Sequence, residues 1–204
     1  MGAKGGEFER EISKFLTKWL TGKEKPYKYW RQDASGGLAT IHEENVHLTG
    51  DIKPLAKDSE FLTDIFSIEC KTGYPKTSFW QHFISTKFAV EQFWSQAVED
   101  TPENKHPMLI YRKLRRKPII GINNIIKDSL YFLVEKLNFI SITWNKPFKC
   151  ERCGEHHTIQ DLFLFDMESF FELVKPDNIK DLVLPSEPKR MDYGNFKLDS
   201  RRIR

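Results

Sequence analysis

Glu69, Cys70 and Lys71 follow the apolar run Ile65-Phe66-Ser67-Ile68, with Gly50-Asp51-Ile52 upstream. Side chains alternate along a strand, so Glu69 and Lys71 project together while Cys70 points the other way. An outgoing strand after Asp51, a turn at Ala56-Lys57-Asp58-Ser59 and a returning strand would bring Asp51 beside Glu69 by antiparallel pairing. Two carboxylates converging on one spot make a hard oxygen site for Mg²⁺, and Lys71 sets a cation beside it. That combination suits metal-assisted hydrolysis of a phosphodiester. A Glu-x-Lys tripeptide alone is more often a cross-strand ion pair on a solvated face. The surrounding elements therefore decide what it means.

Residues 7–20 place Phe8, Ile12, Phe15, Leu16, Trp19 and Leu20 at helical spacing, with Gly22 as a stop signal. Residues 26–31 read as a short aromatic strand, followed by the glycine loop Ser35-Gly36-Gly37. After the Asp51 and Glu69 strands, residues 79–98 read as a second amphipathic helix with Trp80, Phe83, Ile84, Phe88, Phe93, Trp94 and Ala97 on its apolar face. Residues 108–111 and 118–122 read as strands, 124–137 as a helix, and 139–144 and 158–165 as strands. The expected domain spans 1–175, with core motifs at 4–112 and a cysteine hairpin at 145–158. From Pro176 onward a polar, loosely attached tail is expected to residue 204. This order fits an α/β fold with a central mixed sheet flanked by helices.

The chain has 204 residues, enough for one domain with a proper core, and sixteen phenylalanines argue against disorder. A net charge of +3 says little about partners; its distribution says more. Lys113-Leu114-Arg115-Arg116-Lys117 and Arg201-Arg202-Ile203-Arg204 are concentrated basic segments suited to phosphates, solvated surface being the plainer reading. No apolar stretch approaches the roughly twenty residues of a bilayer span, and residues 1–6 lack a secretory apolar region. With three cysteines, two of them as Cys150-x-x-Cys153, a reducing cytoplasmic setting is expected and no membrane partner.

Gly5-Gly6-Glu7-Phe8-Glu9-Arg10-Glu11, Arg31, Ser35-Gly36, Asp51 and Glu69-Cys70-Lys71 occur in an order that resembles the PD-(D/E)xK superfamily, the restriction-endonuclease-like fold. Within it, the order is similar to archaeal-type Holliday-junction resolvases. The likeness covers about half the chain, residues 4–112, and departs at Gly50, where the motif carries proline. The resemblance implies that Asp51, Glu69 and the Cys70 carbonyl hold Mg²⁺ or Mn²⁺, and that Lys71 orients the attacking water or neutralises phosphate. It further implies that Glu9 completes the metal shell or binds a second ion, and that Ser35 reaches the scissile phosphate. Arg10 and Arg31 are expected to contact DNA, with Arg115, Arg116 and Lys117 beyond the active-site helix. A homodimer is implied because cutting paired strands requires two active sites. The bland competitors are a helix-terminal acid for Glu9 and a turn residue for Ser35.

Lys149-Cys150-Glu151-Arg152-Cys153-Gly154-Glu155-His156-His157 has the spacing of a zinc knuckle. Cys150, Cys153 and one of the adjacent pair His156 and His157, with His156 the chosen candidate, supply three ligands, and the fourth must come from elsewhere, His106 being one candidate. Reduced thiols at a hairpin tip are the alternative. Such a zinc ion would be structural, pinning the hairpin.

The function expected is a metal-dependent DNA endonuclease, structure-selective for branched DNA as in Holliday-junction resolvases. A sequence-specific restriction or nicking endonuclease on the same scaffold is the alternative. A catalytically inactive nucleic-acid-binding protein is the reading from another class, and a broken acidic pair or missing lysine would mark it. Neither mark is present in the sequence.

Overall fold

A computed structural model describes residues 2–32, 49–73, 89–113, 115–149 and 156–182. Ser35, Gly36, Cys150, Cys153, residues 79–88 of the second expected helix and the last 22 residues, 183–204, lie outside the described residues.

The first helix, α1, runs Gly2–Thr21. Phe8, Ile12 and Leu16 recur every four residues and are buried. Gly22 closes the helix at φ 74°, donating its N–H to the Lys18 carbonyl at 2.7 Å, a left-handed stop that glycine adopts at little cost. Thr17 Oγ1 is buried in α1 and accepts the N–H groups of Lys28 and Tyr29, at 3.1 and 3.3 Å. That clips the strand β1, Tyr29–Arg31, onto the helix.

β1 pairs antiparallel with β2, Ile52–Pro54, with Arg31 opposite Ile52. A 3₁₀ turn at Lys57–Ser59 and the helix α2, Glu60–Ile65, then lead into β3, Phe66–Gly73. The expected tight hairpin between the Asp51 and Glu69 strands is therefore not formed. Phe61, Leu62 and Ile65 pack against the core, and spaced three and four apart they make a helical turn bury more apolar surface than a β-turn would.

β3 is the edge of a five-stranded sheet of order β3-β4-β5-β7-β6. It runs parallel to β4, His106–Lys113, and the other pairs are antiparallel. A parallel neighbour needs a crossover, and the helix α3, Ala89–Glu99, lies in that connection. The sheet continues through β5, Ile119–Ile122, and through β6, Phe139–Lys149, and β7, His156–Asp166.

The expected helix at 124–137 is two short ones, α4 Asn124–Ser129 and α5 Tyr131–Val134, broken at Leu130 where ψ rises to 13°. A helix unforeseen in the sequence, α6 Met167–Leu173, follows β7 directly. Asp166 caps it by accepting the Ser169 N–H at 2.9 Å. Ordered packing also extends past the expected boundary at 175. Pro176–Lys180 forms α7, Ile179 is fully buried, and Leu182 packs on the same core. A polar composition concealed this docking because two apolar side chains carry it.

Two apolar layers cover the sheet. One joins α1, β1, β2 and α2 to α4–α7 over Ile68, Cys70, Met108, Ile110, Ile120 and Phe165. The other sets Val90, Phe93 and Trp94 of α3 against Leu109, Tyr111, Ile142, Leu162 and Leu164. β4 is buried on both faces, which explains its unbroken apolar run. The architecture is the helix-flanked mixed sheet expected of a restriction-endonuclease-like fold. Among the described residues no helix is long and apolar enough to cross a membrane.

Candidate active site

Asp51 sits where the small β1–β2 ribbon meets the open edge of the main sheet. Its carbonyl accepts the Gln32 N–H at 2.7 Å, and its own N–H goes the other way to the Ile68 carbonyl of β3 at 2.7 Å. Its Oδ2 accepts the Cys70 N–H at 2.8 Å. One residue is thus tied to two strands by three hydrogen bonds, and it is buried.

Gly50 makes this approach feasible. It has φ 83°, and a Cβ there would lie 2.7 Å from the Ile68 nitrogen and 2.8 Å from its oxygen. Proline, fixed near −65°, cannot adopt that conformation. Here glycine at the motif's proline position is a geometric requirement.

Because Cys70 turns its N–H outward to Asp51, its carbonyl faces the same open edge. The Cys70 side chain points into the α1 layer, where burial and then the negative charge of Asp51 push its thiol well above the usual range. It is an inert core residue, and its backbone is what the site can use. Glu69 and Lys71 leave β3 on the opposite face, in register with Leu109 and Tyr111. Lys71 Nζ stands 2.5 Å from Glu69 Oε1, both side chains largely buried.

Burial raises the Glu69 carboxyl pKa first and the charge of Asp51 raises it further, while Lys71 partly offsets both. Glu9 reaches the same region from α1. Burial raises its pKa, Arg31 opposes that most strongly, and Glu69 and Lys71 are felt as well. Arg31 Nη1 lies 3.9 Å from Glu9 Oε2, and a Cβ at Gly6 would strike the Arg31 guanidinium. Gly6 therefore leaves the slot in which Arg31 lies against α1. Arg10 is exposed on the same helix.

Asp51, Glu69, Lys71 and Glu9 are thus brought into one electrostatic neighbourhood. Among the described residues no three His, Cys, Asp or Glu side chains already stand as a metal cage. Mg²⁺ asks for less, since it keeps several waters and takes one or two carboxylates. Two neighbouring acids, one of which raises the proton affinity of the other, beside a strand carbonyl fit that demand.

The basic run forms the β4–β5 turn. Gly73 is in register with Lys113, so the turn projects from the sheet end toward which Lys71 also lies. Arg115, Arg116 and Lys117 are exposed; Lys117 pairs with Glu168 at 2.7 Å, and Arg115 holds φ 61°. Arg112 pairs with Glu11 and lies over the Phe8 ring. His156 begins β7 at the far tip of the β6–β7 arm. His106 contacts Asn123 at 3.3 Å, and the cysteine loop it was a candidate for lies outside the described residues. Sequence reasoning did not single out Gln32, which follows Arg31 directly and is buried beside Asp51.

Residues 2–181 match the family model described as "Phage putative PDDEXK endonuclease". The chain belongs to that family. No curated protein and no solved structure matches it significantly. The family model reaches well past residue 112, into α7, so the second half of the chain is part of the PDDEXK endonuclease unit. Membership makes the chain a nuclease of the PD-(D/E)xK type, with Glu69-Cys70-Lys71 on the edge strand and Gly50-Asp51 against it.

Proposed function

We propose that this PDDEXK endonuclease hydrolyses DNA phosphodiester bonds using Mg²⁺ or Mn²⁺ held by Asp51, Glu69 and the Cys70 carbonyl. The observation that carries the reading is the docking of Asp51 on the open edge of β3, beside the Cys70 backbone and the Glu69 carboxylate. When bound, the ion polarises the phosphoryl oxygen and lowers the pKa of its water. Lys71, beside Glu69, would orient the attacking water and offset charge building on the phosphate. Glu9 would complete the metal shell or bind a second ion, and Ser35 is assigned to the scissile phosphate. Arg10, Arg31 and the Arg115-Arg116-Lys117 turn hold neighbouring phosphates.

The preferred substrate in this reading is branched DNA, cut by a homodimer that presents two sites, within the cell. Its support is the resolvase-like order of Glu9-Arg10, Asp51 and Glu69-x-Lys71. The test is parallel incubation of four-way junction, flap, single strand and linear duplex with Mg²⁺. Junction cleavage by wild type and none by Asp51→Asn is the expected result. Discrete bands from linear duplex would replace the junction reading with a restriction or nicking enzyme. No cleavage of any substrate would leave a DNA-binding protein without catalysis.

The Cys150-Cys153-His156 loop is proposed to hold one structural zinc ion at the tip of the β6–β7 arm. Metal analysis after dialysis should find one equivalent. Zinc far below that, with melting unchanged by chelator, would remove the proposal.

A further inference from the structure

Gln32 is 6% exposed, and among the described residues its Oε1 has no hydrogen-bond partner. A buried amide oxygen left unpaired destabilises the fold, so its retention asks for a function or a ligand. The location narrows the answer. Tyr29, Trp30 and Arg31 pair with Pro54, Lys53 and Ile52, and the Gln32 N–H bond to the Asp51 carbonyl carries the same register one step further. Gln32 therefore stands directly across from Asp51. Side chains of such a pair leave the ribbon on one face, with Cβ atoms about 4.5–5.5 Å apart. Asp51 uses that face to reach the Cys70 N–H.

We propose that Gln32 Oε1 is a further oxygen ligand of the divalent ion held at Asp51. The inference rests on the metal-dependent reading above and adds a residue to it. An amide oxygen is a hard, neutral donor of the kind Mg²⁺, Mn²⁺ and Ca²⁺ accept. Neutrality suits this position: Asp51 and Glu69 already repel each other, and a third carboxylate on the ribbon would add to that repulsion in the metal-free protein. The amide adds a ligand atom without adding charge. Its burial also keeps it dry, so the unpaired oxygen would meet the ion without first shedding water.

Calorimetric titration with Mn²⁺, and with Ca²⁺ as a non-turnover ion, tests this without DNA. Wild type should bind, Asp51→Asn should not, and Gln32→Leu should bind about tenfold to a hundredfold more weakly. Metal-free Gln32→Leu should melt no lower than wild type, because the unpaired oxygen is gone. Gln32→Leu binding Mn²⁺ as tightly as wild type, while Asp51→Asn does not bind, overturns this inference and leaves the metal reading intact. Wild type that binds neither ion while cleaving DNA in a chelator overturns the metal reading itself. Should Gln32→Leu fail to fold, Gln32→Glu decides: tighter Mn²⁺ binding than wild type supports the assignment, and unchanged affinity overturns it.

Discussion

Asp51 Oδ2 accepts the Cys70 N–H at 2.8 Å, so a side chain supplies what a missing neighbouring strand would otherwise provide. An edge strand leaves a row of N–H and C=O groups unpaired. Here one of them orients a carboxylate and turns the carbonyl of the same residue toward it. The acid is thereby placed by the backbone of the strand that carries Glu69 and Lys71. The site's geometry follows from β3 being at the edge.

Asp51→Asn, Glu69→Gln and Lys71→Met should each lower cleavage at least about a thousandfold, corresponding to the several kcal/mol that metal and charge stabilisation supply. DNA binding should remain within a few-fold, since the surfaces proposed to hold phosphate lie elsewhere. Gel shifts in Ca²⁺ and single-turnover cleavage in Mg²⁺ separate the two effects. Normal turnover by Glu69→Gln would refute the assignment.

Gly50→Ala should destabilise the fold by about 1–3 kcal/mol, the usual range for a side chain forced into a left-handed backbone. The Cβ would also push Ile68 and Asp51 apart, so kcat should fall beyond what unfolding explains. Urea melts and kcat at a temperature where both proteins are folded provide the check. A variant of wild-type stability and activity would mean that Asp51 does not depend on this approach.

Lys105 is buried, and among the described residues its Nζ has no hydrogen-bond partner. Burial lowers its pKa, with Asp64 opposing. A lysine whose folded pKa is depressed binds its proton more tightly when unfolded, so its cost to stability is fully present below the folded pKa. The cost disappears as pH rises through that value toward the ordinary lysine value of about 10.4. Lys105→Met should therefore stabilise the protein at pH 7 by about 1–3 kcal/mol, with the gain shrinking as the pH is made alkaline. Thermal melts of both proteins between neutral and alkaline pH measure it, and a gain independent of pH would exclude this cause.

Arg115 holds φ 61° in an exposed turn, a conformation that glycine adopts freely and other residues adopt at roughly 1–2 kcal/mol. Arg115→Gly should leave the fold as stable or more so. It should also weaken DNA binding and flatten the dependence of log K on log salt by about 0.9 for each phosphate no longer neutralised. Adding Arg116→Gln should deepen the effect equally across DNA sequences. Weakening confined to one sequence would instead indicate base readout.

Much of this was legible along the chain. The order Glu9, Asp51, Glu69, Lys71, the alternation that puts Glu69 with Lys71, and the stripe Phe8-Ile12-Leu16 are local periodicities, and local backbone geometry enforces them. Tertiary structure decided which edge Asp51 approaches. It docks through its own N–H and carboxylate, with α2 occupying the span where a hairpin was expected. It also decided that Gln32 Oε1 and Lys105 Nζ are buried without a hydrogen-bond partner among the described residues and that Ile179 belongs to the core. Register between distant segments and burial under several layers depend on the summed packing of the whole chain. No short window of residues encodes that sum, because each of these residues would be ordinary surface in a different arrangement.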